Sequence, residues 1–156
     1  MKLLTPHQAA AALADTTGAT TEAPTTAPAS VLTLPPDFDL LAEHLSGAGA
    51  LDLEGVQRID LQFPKFTDGR AYSQAVLLRR RLGYRGLLRA TGEVLIDQLL
   101  QLQRCGFDEA LLRADQSLAH GQRLLQQFDS FYQGDAQQPL PRFAAALTPT
   151  ATGAHP

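Results

Sequence analysis

Four short apolar runs, regularly spaced, set the frame for this chain. Val31-Leu32-Thr33-Leu34, Ile59-Asp60-Leu61-Gln62-Phe63, Leu87-Leu88-Arg89-Ala90 and Leu111-Leu112-Arg113-Ala114 begin 28, 28 and 24 residues apart. Each has the length of a strand. Each also precedes a helix-start residue and an amphipathic stretch: Asp37 before 38–45, Asp68 before 71–82, Thr91 before 94–105 and Asp115 before 118–131. In the third stretch Leu95, Leu99 and Leu102 form one stripe, which Ile96 and Leu100 widen. Gly83 and Gly106 follow as helix stops. Strand and helix alternating at this spacing predict four parallel βα units joined by right-handed crossovers.

The strands differ from those of a sheet covered on both sides, which read as nearly continuous apolar runs. Ile59, Leu61 and Phe63 share one face, and Asp60 and Gln62 share the other. By the same parity Leu88, Ala90, Leu112 and Ala114 oppose Leu87, Arg89, Leu111 and Arg113. The expected fold is therefore α/β, half-barrel-like or an open sheet, with helices mainly on one face and Asp60, Gln62, Arg89 and Arg113 on the other. The bland reading of that polar face is that Asp60 pairs with Arg89 or Arg113 in a solvated groove.

Around this core, 1–30 is rich in Ala, Thr and Pro, and 135–156 in Gln, Pro, Ala and Thr. Such ends carry too little large apolar surface to offset the entropy of ordering, so both are expected to be solvated tails flanking a domain over 31–134. Thr5-Pro6-His7-Gln8 interrupts any apolar segment after Leu3 and Leu4, which argues against a secretion signal and for the cytoplasm. The formal net charge of -3 gives no general attraction to nucleic acid, and no apolar stretch approaches the roughly 20 residues of a membrane span.

Few residues suggest chemistry. The histidines, His7, His44, His120 and His155, are not spaced with Cys105 or a carboxylate as a metal site requires, and no glycine signature for a phosphate or dinucleotide appears. No metal or cofactor is expected. Cys105, just before Gly106 at a helix end, reads as a buried inert thiol. Ligands in parallel α/β folds gather outside the carboxyl ends of the strands. Seven cations lie between 65 and 89 against Asp68 alone. Of these, Arg79, Arg80 and Arg81 read as a solvated helix face, whereas Lys65, Arg70 and Arg89, with Arg113, are the candidates for holding a small anion. Phe63, Phe66, Tyr72, Tyr84, Phe107, Phe128, Phe131 and Tyr132 have spacings suited to core packing.

The segment Phe63-Pro64-Lys65-Phe66-Thr67-Asp68-Gly69-Arg70-Ala71-Tyr72-Ser73 resembles the bacterial family named domain of unknown function 934. Gly83-Tyr84-Arg85-Gly86-Leu87-Leu88-Arg89-Ala90-Thr91-Gly92 agrees, as do Asp97-Gln98 and Arg104-Cys105-Gly106-Phe107-Asp108, so the resemblance spans about residues 56 to 133. It implies a role in assimilatory sulfite reduction, because similar proteins are encoded beside sulfite reductase and labelled as oxidoreductases of that step, with no agreed catalytic residues. Two departures stand out. An Ala/Thr-rich segment leads into Val31 where the family begins with a longer ordered stretch, and Gln62 stands where similar proteins often have an acid.

Two functions follow as expectations. One is an accessory protein docking on sulfite reductase or its electron donor, through the open strand face or the Arg79 to Arg85 surface. The other is a small-anion-binding enzyme or oxidoreductase component using Lys65, Arg70 and Arg89 at the strand ends. Self-association into a homodimer that buries the polar faces is a further expectation.

Overall fold

The computed structural model describes residues 1–6, 8, 30–45, 51, 53–128 and 130–145. Strands β1 (Lys2–Leu4), β2 (Ser30–Leu34), β3 (Val56–Phe63), β4 (Leu87–Gly92) and β5 (Glu109–Leu111) form one parallel sheet in the order β1-β5-β4-β3-β2. The helices are α1 (Leu40–Leu45), α2 (Arg70–Arg80), α3 (Leu99–Cys105), α4 (Leu118–Leu125) and α5 (Arg142–Ala145), with a 3-10 turn at Ile96–Gln98 ahead of α3. The sheet is open, so the half-barrel alternative gives way to the open-sheet one. Among the described residues, no helix is long and apolar enough to cross a membrane.

The fifth strand comes from a segment expected to be a solvated tail. Lys2–Leu4 pairs with Glu109–Leu111, and Lys2 N donates to Asp108 O at 2.7 Å, so the sheet edge captures three residues too short to show a period of their own. The rest of that expected tail, 9–29, lies outside the described residues, as does 146–156. The second tail also starts later than expected: 135–138 folds back on the domain, where Ala136 N donates to Arg104 O at 3.0 Å.

Strand parity decides where the core sits. Ile59, Leu61, Phe63, Leu88, Ala90 and Ala110 are buried in one cluster with Ala71, Ala75 and Leu78 of α2 and Leu99 and Leu102 of α3. At α4, Gly121 lies so close to Leu3 and Leu99 that a Cβ there would meet each at 2.9 Å. The described helices α1 to α4 thus gather on the apolar face, and Arg58, Asp60, Gln62, Leu87, Arg89, Thr91 and Glu109 point the other way.

Local signals shift several boundaries. β5 begins two residues before the expected run, so Arg113 stands beyond the strand and not on its polar face. Asp39, not Asp37, caps α1, its Oδ1 accepting from Leu41 N and Ala42 N at 3.0 Å each. Ser117, not Asp115, caps α4, accepting from His120 N at 3.3 Å. Thr91 caps nothing, its hydroxyl donating instead across the sheet to Leu61 O at 3.3 Å. Gly83 and Gly106 do supply positive φ, 64° and 99°, after the helices they were expected to stop.

Arg79 corrects the reading of 79–81 as a solvated face. Its side chain is only 12% exposed. Nε donates to Gly106 O at 2.9 Å, Nη1 to Tyr84 O and Gly86 O at 2.9 and 2.8 Å, and Nη2 pairs with the Asp108 carboxylate. The same Asp108 oxygen accepts from Leu88 N at 2.8 Å. One guanidinium therefore ties α2 to the turns that enter β4 and β5. Arg79→Ala leaves three carbonyls without their side-chain donor and the Asp108 carboxylate without its cation, and it is expected to lower stability by about 2–4 kcal/mol, against less than about 0.5 kcal/mol for the exposed Arg80→Ala; urea unfolding of both variants checks this. A second pair tests the close approach of β4 to β3. Gly92 has φ +91° and a Cβ there would stand 2.3 Å from Phe63 O, whereas Gly83, at φ +64°, faces open space. Gly83→Ala is expected to cost about 1–2 kcal/mol and Gly92→Ala clearly more, since the blocking atom is backbone; equal midpoints in urea would refute the ordering.

Candidate functional site

The face turned away from α1 to α4, open at Val31, Gln62 and Leu87 and closed over Arg89 and Glu109, carries a row of charged groups set by the strand register. Asp60 lies beside Arg89, Arg89 beside Glu109, and Glu109 beside Lys2. The expected Asp60–Arg89 pair is not the one formed. Arg58 Nε donates to Asp60 Oδ1 at 2.9 Å along the same strand, and Arg89 donates through Nε and Nη2 to Glu109 Oε2 at 2.8 and 2.6 Å. Lys2 Nζ adds a longer contact to Glu109 at 3.8 Å. Arg89 and Glu109 are buried, with side chains 8% and 9% exposed. Removing either partner would strand a charge out of water, so Arg89 is bound into the sheet. Gln62, one step further toward the strand end, is exposed.

The carboxyl ends of the strands form a rim built from three loops. After β3, the turn closes through Asp68 N to Lys65 O at 3.0 Å and places Lys65 and Phe66 in solvent. After β4, Glu93 N donates to Phe63 O at 2.8 Å, stitching the second loop to the first. After β5, Arg113 N donates to Val94 O at 3.0 Å and stitches the third to the second.

Two ionic clusters sit on this rim. Arg70 grips Asp68 in a fork, Nε to Oδ1 at 3.0 Å and Nη2 to Oδ2 at 2.7 Å. That fork, helped by Arg70 N and by the nearby positive charge of Lys65, holds the Asp68 carboxyl down at about 2. Arg113 grips Asp115 in the same way, at 2.7 Å on both arms, and reaches Glu93 at 2.8 Å. Its hydrogen bonds to Asp115 and Glu93 raise the Arg113 pKa and hold Asp115 well below the usual carboxylate range.

The four candidate cations are thus not assembled on one ligand. Arg89 is committed to Glu109 on the open face, Arg70 to Asp68, and Arg113 to Asp115 and Glu93, while the exposed Lys65 acts on Asp68 through space. Glu93, Asp108 and Glu109 were not singled out from the sequence. Glu109 has the parity of Leu111 and so shares its face, a signal that the apolar run beginning at Leu111 hides.

Behind the sheet, Tyr72 meets Phe63 edge-on at 5.0 Å, and burial, then the neighbouring Cys105 and Asp97, push its hydroxyl up to about 12. Cys105 is buried, its thiol raised by burial and contacted by Gln101 Nε2 at 3.3 Å, in line with an unreactive core thiol. A groove of about 360 Å³ beside it is lined by Val76, Arg80, Arg104 and Asp135 among others. Among the described residues, no cluster of three or more His, Cys, Asp or Glu side chains could hold a metal ion.

Residues 41–143 match the family described as bacterial protein of unknown function (DUF934). No curated protein and no solved structure matches the chain. The matched span begins within α1 and takes in β3 to β5, both rim clusters and the Arg79 clamp. It covers well over half of the 156 residues, and the chain belongs to this bacterial family.

Proposed function

We propose that this protein is an accessory of assimilatory sulfite reduction, acting in the cytoplasm by docking on sulfite reductase or its electron donor. The sulfur-assimilation part of this reading rests on the family resemblance. The docking part is supported by one observation, the internal pairing of the arginines on the open face and rim: Arg58, Arg70, Arg89 and Arg113 each have a carboxylate partner in the same chain. Charges spent in this way do little for a small substrate. Large apolar side chains stand exposed on the same face and rim: Val31 at 44%, Leu87 at 45% and Phe66 at 49%. Val31 and Leu87 flank Arg58 in register, so two exposed apolar side chains stand on either side of a guanidinium already paired with Asp60, and a partner that covers them gains apolar burial without breaking that pair. The Arg79 to Arg85 surface is a poorer docking site, since Arg79 faces inward.

The alternative, a small-anion-binding enzyme or oxidoreductase component using Lys65, Arg70 and Arg89, draws on the exposed Lys65 at the end of β3. There an anion would have to displace Asp68 from Arg70 and Glu109 from Arg89.

Deletion of the gene is expected to abolish growth on sulfate and on sulfite and to leave growth on sulfide intact; normal growth of the deletion strain on sulfite would sink the pathway assignment. The tagged chain is expected to recover sulfite reductase or its electron donor from native extract, with recovery reduced about tenfold or more by Leu87→Arg combined with Phe66→Ala. Calorimetry with sulfite and sulfate separates the two readings. Docking alone gives no heat, whereas heat that disappears in Lys65→Ala moves the assignment to the anion site.

A further inference from the structure

Large apolar groups exposed together call for an explanation, because a folded chain gains by covering them. Phe128, Tyr132, Leu140 and Phe143 are 53%, 80%, 60% and 54% exposed, and all lie in 128–143. The expectation that Phe128 and Tyr132 pack in the core is therefore corrected: both open to solvent, as does Phe66. The cluster is ordered by ring contacts. Tyr132 and Phe143 have centroids 5.3 Å apart at 39°, and Phe128 and Phe131 are 6.1 Å apart at 44°. Phe131 is held from behind by the Arg104 guanidinium, 4.6 Å from its centroid. Arg142 N donates to Phe131 O at 3.4 Å, which folds α5 back over this segment.

A cavity of about 470 Å³ results, lined by Ser130, Phe131, Tyr132, Arg142 and Phe143. Its size falls in the roughly 300–1,000 Å³ range of small-molecule sites. Its charge is the second observation. Arg58, Arg70, Arg79, Arg89, Arg104 and Arg113 each face a carboxylate, whereas Arg142 forms no ion pair among the described residues. Arg142, which like Lys65, Arg80, Arg81, Arg85 and Arg123 meets no carboxylate among the described residues, thus stands in the wall of the aromatic cavity.

We propose that this cavity binds a small planar aromatic anion of the mononucleotide class, its ring stacked on the open face of Tyr132 and its phosphate on Arg142. Tyr132 and Phe143 already touch, so no ring fits between them; the ligand lies on the outer face, which 80% exposure leaves free. Stacking tolerates any heteroaromatic ring, because each has a π face, and the guanidinium fork selects the phosphate. Ser130 adds a hydroxyl on the same wall. This site is separate from the rim and from the proposed docking face, and it stands or falls independently of them.

The probe is FMN, whose fluorescence falls when the flavin stacks on an aromatic side chain. Titration of the full chain at low salt is expected to give saturable quenching, reversed by AMP and not by inorganic phosphate at the same concentration. Tyr132→Ala and Arg142→Ala, both at exposed positions and checked for folding by circular dichroism, are each expected to weaken FMN binding about tenfold or more. Riboflavin, which lacks the phosphate, is expected to bind about as weakly to the unaltered chain as FMN binds to Arg142→Ala. Unquenched FMN at millimolar concentration, binding by either variant as tight as by the unaltered chain, or displacement by a single-stranded oligonucleotide and not by AMP would overturn the assignment.

Discussion

The strand register of this sheet is tied to the pairing of charges on its open face. Arg89 and Glu109 are nearly as inaccessible as the apolar core, and such groups are tolerated out of water only when each neutralises and hydrogen-bonds the other. The two sit side by side only because β4 and β5 pair with Arg89 opposite Glu109. A slip of one residue would turn Arg89 toward Leu99 and Leu102 and bring Leu88 out into the polar row. Apolar burial behind the sheet and ion pairing in front of it select the same register, so two unlike forces enforce one arrangement.

Asp108, directly before β5, fixes the same strands from their amino ends. Its carboxylate receives Arg79 from α2 and Leu88 N from β4, and its N–H donates to Leu88 O at 2.9 Å. The helix layer and the sheet therefore meet through a single polar node as well as through the apolar cluster. The density of arginine between 65 and 89 acquires a structural meaning from this. Arg79 and Arg89 are framework and Arg70 is locked to its neighbour, so three of the seven cations are internal wiring, and Lys65, Arg80, Arg81 and Arg85 are exposed.

Much of this was legible in the sequence, and the limits have physical causes. Period-two alternation in 59–63 shows which face meets the helices, because burial there acts on every second residue; in 87–90 the parity is the same, although the Glu109 pairing buries Arg89 on the opposite face. The ion pairs Arg58–Asp60, Asp68–Arg70 and Arg113–Asp115 share a spacing of two; on β3 the extended backbone puts Arg58 and Asp60 on one side, and the other two pairs close within turns. Those pairs are legible as neighbours in sequence, whereas pairing across strands is what the shared polar face suggests for Asp60. Lys2–Leu4 is not legible, since three residues show no periodicity and the strand exists only because β5 offers an edge. Arg79 is not either: its partners lie 5, 7, 27 and 29 residues away and are joined to it only by the tertiary fold. The displaced caps have a similar origin. Asp37 and Asp39 both suit a helix start, and so do Asp115 and Ser117; where the chain leaves the sheet decides between them.

The division between spent and unspent groups separates framework from function in a chain with few chemical motifs. A guanidinium that meets a carboxylate of its own chain has its strongest interaction satisfied, and a ligand must break that contact before it gains anything. By this criterion the rim arginines are poor first contacts for a small anion, whatever their place at the strand ends. Apolar groups follow a parallel rule. Phe63 and Phe107 are fully buried, so their burial already stabilises the fold, whereas Tyr132 and Phe143 retain most of their surface. Covering that surface is favourable for whatever binds there, and Arg142 beside it favours a partner with negative charge. The 128–143 segment therefore combines two unmet demands, apolar and electrostatic, at one place, and Phe128 and Tyr132 stand outside the core for which their spacing suits them.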